Sequence, residues 1–287
     1  MCDDDIHQGF IPDTRVSRRA FGAMTVAATG IATAAYAAAA NVVEKDVEVK
    51  TPDGTSDAVL FHPAGQGTWP AVLIWPDIMG LRPVFREMGK RLASQGYVVL
   101  VPNPFYRSRK APVVDASFDF NNPQQRQAVF ALRGAMTDAG IDNDSKAYVA
   151  FLDAQPQTNK AKKVGVQGYC MGGPLSFRTA ATVPNRIAAV GSFHGGGLVT
   201  KEPSSPHLLI PKTNAAYLVA VAQNDDMQAP TDKDVLKKAF ADARKTATVE
   251  VYPANHGWCV AGGAVYNEAQ AERAWAELTK LYQARLA

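Results

Sequence analysis

The sequence predicts an α/β fold in which a doubly wound, mostly parallel sheet carries helices on both faces and begins with an antiparallel hairpin. Short, continuously apolar runs such as Ala71–Trp75 are typical of strands buried on both faces. These runs alternate with segments whose apolar residues recur at helical spacing, as in Val84–Gln95. A glycine-rich turn at residues 168–172 joins one such strand to the next helix. Repeated strand–helix units of this kind build parallel sheets.

The first half of the chain starts with the hairpin, whose strands flank the turn signal Pro52-Asp53-Gly54. Residues 103–122 are rich in Pro, Arg, Asn and Asp, and we expect them to be irregular. The helical region after them is expected to be interrupted around Gly140 and Asp142–Asp144. In chain order, the predicted elements are strands Val42–Lys50, Ala58–Phe61 and Ala71–Trp75, helix Val84–Gln95, strand Tyr97–Val101 and the helical region Gln124–Ala154.

The second half continues the same alternation. A helix over Thr231–Ala243 has Thr231 as its expected N-cap and an acidic first turn. The closing helix, Tyr266–Arg285, is amphipathic. In chain order, the predicted elements are strand Lys163–Gln167, helix Gly173–Thr182, strands Ile187–Phe193 and Tyr217–Ala222, helix Thr231–Ala243, strand Ala247–Tyr252 and the closing helix.

Composition and charge exclude several classes of protein. The chain has 287 residues, of which 47% are hydrophobic and 20% charged, which suits one large globular domain. Its formal net charge of +3 is spread along the chain, which argues against a nucleic-acid partner. The histidines lack metal-ligand spacing, and no dinucleotide or phosphate fingerprint is present, so we expect neither a metal nor a cofactor.

The first 40 residues have the pattern of an export signal. Ser17-Arg18-Arg19-Ala20-Phe21 precedes an uncharged run of small and apolar residues that ends in A-x-A sites. This pattern resembles a twin-arginine signal, although a retained membrane anchor is the alternative. We therefore expect a signal peptide over residues 1–40 and a single domain over 41–287 that is periplasmic or secreted, without a stable membrane anchor after cleavage.

The turn at residues 168–172 has the pattern of a nucleophile elbow. Its sequence, Gly168-Tyr169-Cys170-Met171-Gly172, matches G-x-[Ser/Cys]-x-G at the end of an apolar strand. Such a turn exposes its central side chain above the sheet, and here that side chain is a cysteine. A buried cysteine between two glycines is the structural alternative.

Two further polar groups follow strand ends, where parallel α/β sheets place their chemistry. Asp225 and Asp226 follow the strand Tyr217–Ala222, and His256 follows the strand Ala247–Tyr252. The chain order nucleophile, acid, histidine is that of the α/β-hydrolase triad. The sequence therefore predicts an α/β-hydrolase fold with Cys170 as nucleophile, His256 as base and Asp225 as the acid, with Asp226 as the alternative acid. The N–H of Met171, at the start of the following helix, is the expected first oxyanion donor.

Several segments together resemble the dienelactone hydrolase family. The matching segments are GYCMGG, QNDD, NHGW, YNEAQAERAW, WPDIMG and VPNPFYR, within roughly residues 45–285. The resemblance implies hydrolysis of a small ester or lactone through Cys170, Asp225 and His256. It implies a second oxyanion donor at the N–H of Ile78, and thiol activation by Asp77, where the family usually has Glu.

The resemblance also implies that Arg107 binds a substrate carboxylate. A second carboxylate-binding arginine of the family is replaced here by Val260, and Trp258 suggests a more apolar pocket wall. Because a thiolate leaves a tetrahedral intermediate readily, we expect substrates with good leaving groups, such as enol esters, aryl esters or thioesters. A noncatalytic binding protein on the same fold is the alternative function; redox use of Cys170 is disfavoured because a C-x-x-C motif is missing.

Overall fold

The computed structural model describes residues 41–286, which form an eight-stranded mixed sheet with helices on both faces. The expected signal peptide lies outside the described residues. None of the helices between residues 41 and 286 is long and apolar enough to span a bilayer. In chain order, the strands are β1 (Val42–Thr51), β2 (Gly54–Pro63), β3 (Ala71–Trp75), β4 (Val98–Pro102), β5 (Val164–Tyr169), β6 (Ile187–Phe193), β7 (Ala216–Ala222) and β8 (Ala247–Tyr252).

The helices follow the strands as the sequence predicts, with additions. In chain order, they are α1 (Pro83–Ser94), α2 (Pro123–Gly134), α3 (Asp138–Ala154), α4 (Gly172–Thr182), α5 (Pro206–Leu209), α6 (Gln223–Gln228), α7 (Asp232–Asp242) and α8 (Glu268–Leu286). The short helices α5 and α6 were not predicted. The closing helix begins at Glu268 and not at Tyr266.

The sheet has the order β1-β2-β4-β3-β5-β6-β7-β8. The hairpin β1–β2 lies at one edge and pairs antiparallel with β4, and every later pairing is parallel. Strand β3 shows how the two cores are divided: Leu73 and Trp75 pack with α3 and α4 on one face, whereas Val72 and Ile74 pack with α1 and α8 on the other. The parallel strands end at one edge of the sheet, which is where the candidate site lies.

The helix break was predicted at the wrong place. The structure ends α2 at Gly134 and starts α3 after Thr137, whose hydroxyl accepts the N–H of Gly140. Asp142 lies inside α3 because its carboxylate binds the Arg178 guanidinium at 2.8 Å and so does not compete for the local backbone. Thr231 precedes α7 at the expected N-cap position, but its side chain makes no capping hydrogen bond.

Candidate active site

Cys170 occupies a strained turn between β5 and α4. Its backbone has φ of +51°, in the left-handed region that non-glycine residues rarely adopt. The glycines around it permit the turn: a Cβ on Gly168 would lie 1.8 Å from the Gly172 carbonyl oxygen, and a Cβ on Gly172 would lie 2.3 Å from that of Trp75. Because only glycine fits at these two positions, the sequence fixes a sharp strand-to-helix turn here. The Cys170 side chain is half-buried at the floor of a cavity.

His256 and Asp225 meet beside this turn. Asp225 lies in the first turn of α6 just after β7, and His256 follows β8. Nδ1 of the buried His256 is 2.7 Å from Oδ2 of Asp225. The backbone N–H of His256 donates to Oδ1 of Asn224 at 2.7 Å. Asp226 instead binds the Lys233 ammonium at 2.7 Å. The two adjacent aspartates therefore have different partners, and only Asp225 contacts the histidine.

The His256 ring also interacts with the sulfur of Cys170. Burial lowers the pKa of His256, but the charge of the Cys170 sulfur and the hydrogen bonds with Asp225 and Cys170 outweigh it and raise the pKa to about 10. An imidazole in this setting keeps its proton at neutral pH when the sulfur is a thiolate. The arrangement is thus suited to a thiolate–imidazolium pair oriented by a carboxylate.

A second histidine, His194, supports the turn from beneath. It follows β6, is fully buried, and has φ of +39°. Its Nδ1 accepts the backbone N–H of Cys170 at 3.1 Å, and its ring lies edge-on to that of His256 at 4.7 Å between centroids. Burial, with a contribution from His256, holds the pKa of His194 well below its usual value, so the ring is neutral with its proton on Nε2.

From the sequence, the position of His194 after the strand Ile187–Phe193 favours a hydrogen-bonded structural histidine over one that lines the pocket, and the buried ring with its bond to Cys170 agrees with that interpretation.

Ile78 and Met171, the two expected oxyanion donors, lie at the cavity near Cys170. Ile78, in the loop after β3, and Met171, which immediately precedes α4, both line the cavity. Within the described chain neither N–H donates to a protein acceptor. The close approach of Gly172 to the end of β3 brings these two segments together. They are therefore available to bind an oxygen that becomes negatively charged in the cavity.

The Asp77 carboxylate is paired with Arg82, whereas the resemblance implies that it activates the Cys170 thiol. Its fully buried carboxylate accepts two hydrogen bonds from the Arg82 guanidinium, one of them at 2.7 Å, and a third from the N–H of Met79. Asp77 does not line the cavity. A buried carboxylate requires a partner, and Arg82 supplies it. Activation of the thiol by Asp77 stays a prediction.

Arg107 and Trp258 also lie away from the cavity. The Arg107 guanidinium binds both oxygens of the buried Asp144 at 2.8 Å and the carboxylate of Asp53 at 2.6 Å. Trp258 is fully buried, stacked on Tyr252 at 5.3 Å and edge-on to His194 at 5.2 Å between centroids. The structure therefore does not bring either residue to the substrate side of Cys170, and Trp258 instead packs behind His194.

The cavity over Cys170 has a volume of about 660 Å³. Asp225, His256, Ile78 and Met171 line it together with Cys170, so the residues that the sequence assigned to the triad and oxyanion hole face one space. Within residues 41–286, no three His, Cys, Asp or Glu side chains are grouped in a way that would hold a metal ion.

A scan against family models gives a match over residues 56–286, described as the dienelactone hydrolase family. The chain belongs to the dienelactone hydrolase family. It is 27% identical over 224 residues to carboxymethylenebutenolidase 1 of Cupriavidus pinatubonensis, covering 78% of this chain and 89% of that protein. Family and relatives identify the protein as a hydrolase with an α/β-hydrolase-like fold.

Solved structures agree on the fold. A dienelactone hydrolase from Anabaena variabilis superposes with a TM-score of 0.59 at 20% identity, covering 86% of this chain and 99% of that one. A dienelactone hydrolase-like promiscuous phosphotriesterase from metagenomic libraries gives a TM-score of 0.65 at 21% identity over the same shares. At such identities the likeness shows the fold alone.

Proposed function

We propose that this dienelactone hydrolase family member cleaves ester or lactone bonds through an acyl-cysteine intermediate, with Cys170, His256 and Asp225 as its triad. The observation that carries the proposal is the His256 ring, which is hydrogen-bonded to Asp225 at 2.7 Å while it interacts with the Cys170 sulfur at the cavity floor. The named activity of the carboxymethylenebutenolidase relatives supports the same reaction class.

The proposed reaction has two halves. The Cys170 thiolate attacks the carbonyl carbon, and the resulting oxyanion accepts hydrogen bonds from the N–H groups of Ile78 and Met171. The tetrahedral species collapses as the bond to the leaving oxygen breaks, and the His256 imidazolium donates its proton to that oxygen. A water molecule then gives a proton to His256 and attacks the acyl-cysteine, which releases the acid and restores the thiolate.

Asp225 orients His256 in both halves of the reaction. It accepts the Nδ1–H of His256, so the imidazolium that is present before the first half-reaction and forms again in the second is stabilised, and the ring keeps its orientation. Because a thiolate is expelled more readily than an alkoxide, enol esters, aryl esters and thioesters should turn over faster than simple alkyl esters. Comparable turnover of an alkyl ester and its enol-ester analogue would contradict this expectation.

The deciding experiment is the hydrolysis of aryl esters and lactones by Cys170→Ala and by the matched variant Cys259→Ala. Cys259 is the other free cysteine of the described chain and does not line the cavity. We expect Cys170→Ala to fold but to lack hydrolase activity, and Cys259→Ala to keep that activity. Mass spectrometry of the wild type should detect an acyl adduct on Cys170. Full activity in Cys170→Ala would refute the proposal.

A noncatalytic binding role is not favoured by the family or by this geometry. It would require that thiol reagents label Cys170 while no ester turns over.

We further propose that residues 1–40 direct export by a twin-arginine route, on the basis of the Ser17–Phe21 pattern. Replacement of Arg18 and Arg19 by Lys should retain the precursor in the cytoplasm on cell fractionation. Unchanged export of that variant would exclude the route.

A further inference from the structure

The cavity above Cys170 is larger than a simple lactone ring needs. Its volume of about 660 Å³ lies within the range of roughly 300–1,000 Å³ that accommodates drug-sized ligands. A five-membered lactone would leave much of this space filled with water. The cavity therefore has room for a substituent that extends well beyond the carbonyl group at Cys170.

Much of the lining is hydrophobic. The side chains come from the region of α2 and α3 and from the region of α5 and α7, and Phe120 and Phe130 pack edge to face at 6.1 Å between centroids. Apolar surface of this kind gains free energy when an apolar group displaces water from it. The side chains that matter for the argument are Phe120, Phe130, Ile141, Val199, Leu209 and Leu236.

The charges around the cavity disfavour an anionic substrate. Five carboxylate residues and three Lys or Arg residues line it. Two of the cations are already paired, since Arg178 binds Asp142 at 2.8 Å and the lining Asp138 at 2.9 Å, and Lys233 binds the lining Asp226 at 2.7 Å. Arg133 is the third, and within the described residues it makes no ion pair. With Asp225 on His256, the lining carboxylates outside these pairs are Glu202 and Asp232. A substrate carboxylate would meet an excess of negative charge.

We propose that the cavity takes uncharged esters with an extended apolar group, of about six to eight carbon atoms or an aryl ring of similar size, in preference to carboxylate-bearing lactones. This inference rests on the proposed hydrolase function and specifies its substrate class. Phe130 and Val199 act as specificity-determining residues by supplying the apolar lining. Neither residue takes part in the bond-breaking steps.

The first test compares kcat/KM for p-nitrophenyl acetate, butyrate, hexanoate and octanoate. We expect the octanoate-to-acetate ratio to exceed about tenfold, since one well-buried methylene already changes kcat/KM by about tenfold or more. A ratio near one, with hydrolysis still abolished in Cys170→Ala, would overturn the substrate class while leaving the hydrolase proposal intact. Absence of Cys170-dependent hydrolysis with every ester would instead refute the function itself.

Matched variants locate the apolar site. Phe130→Ala and Leu132→Ala truncate two half-buried residues of the same helix, α2, but only Phe130 lines the cavity. We expect Phe130→Ala to lower the octanoate-to-acetate ratio roughly tenfold and Leu132→Ala to leave it unchanged. Val199→Trp, which fills the cavity, should also lower the ratio. Because a ratio does not depend on the amount of folded enzyme, equal ratios in all variants would refute this site.

The charge argument is tested with the p-nitrophenyl monoester of octanedioic acid against p-nitrophenyl octanoate. The two differ by a terminal carboxylate, and we expect kcat/KM for the charged ester to be at least about tenfold lower. A faster charged ester would overturn the inference. Loss of that advantage in Arg133→Gln would then identify Arg133 as a carboxylate-binding residue.

Discussion

The backbone N–H of Cys170 donates to Nδ1 of His194 at 3.1 Å, so a buried, neutral histidine holds the residue that we propose as nucleophile. Both residues have positive φ, at +51° and +39°. Strained backbone of this kind persists only where surrounding contacts enforce it. The contact of His194 with His256 extends the same support to the proposed base.

The first prediction concerns this support. His194→Phe keeps an aromatic ring but removes one of the two acceptors of the Cys170 N–H, which still donates to the Phe193 carbonyl at 3.0 Å, and the loss of one such hydrogen bond costs about 0.5–1.5 kcal/mol. Since about 1.4 kcal/mol corresponds to tenfold in rate, we expect kcat for p-nitrophenyl octanoate to fall about 2- to 10-fold with little change in KM. His194→Asn offers an oxygen acceptor and tolerates positive φ, so it should recover much of kcat. Equal losses in both variants, or none in either, would contradict the role.

The second prediction distinguishes the adjacent aspartates. Asp225→Asn replaces the acceptor of the His256 Nδ1–H and favours the wrong tautomer, so kcat should fall by about 100- to 10,000-fold. Asp226→Asn breaks only the ion pair with Lys233 and should lose no more than about threefold in kcat. Circular dichroism would confirm that both variants fold. A larger loss in Asp226→Asn would reverse the assignment of the acid.

The third prediction concerns pH. Because the pKa of His256 in the folded protein, about 10, lies above the usual value, the stabilisation from its ion pair is fully present below about pH 6.5 and is lost as pH rises through about 10. In Cys170→Ala the thiolate charge is gone, so the pKa should fall by at least about one unit. NMR titration of the His256 ring measures its pKa in the wild type and in Cys170→Ala. Equal titration near pH 6.5 in these two proteins would contradict an ion pair between His256 and Cys170.

The fourth prediction separates two roles for Asp77. Asp77→Ala leaves Arg82 without its buried partner and should destabilise the protein by about 3–5 kcal/mol in urea unfolding. Arg82→Met should destabilise it similarly because it leaves the carboxylate unpaired. If Asp77 activated the thiol instead, its loss would lower activity per folded molecule while Arg82→Met kept full activity.

Local sequence signals were sufficient for the elements near the elbow. Residues 164–174 combine an apolar strand with glycines that no other residue can replace, and the structure shows β5, the turn and α4 there. The helix break near Gly140 was predicted wrongly because Asp142 and Asp144 looked like helix-breaking residues. Their carboxylates in fact bind Arg178 and Arg107, which are distant in sequence.

Backbone propensity and hydrophobic periodicity act over a few neighbouring residues, so the parallel sheet and the order in which nucleophile, acid and histidine follow strand ends could be predicted without coordinates, and the resemblance of several short segments indicated the family. Tertiary structure alone decided the partners: Asp225 rather than Asp226 meets His256, His194 holds Cys170, and Arg82 and Asp144 bind Asp77 and Arg107. Those pairings depend on angstrom-scale positions of packed loops and on the requirement that buried charges be compensated, and neither is encoded in a short segment.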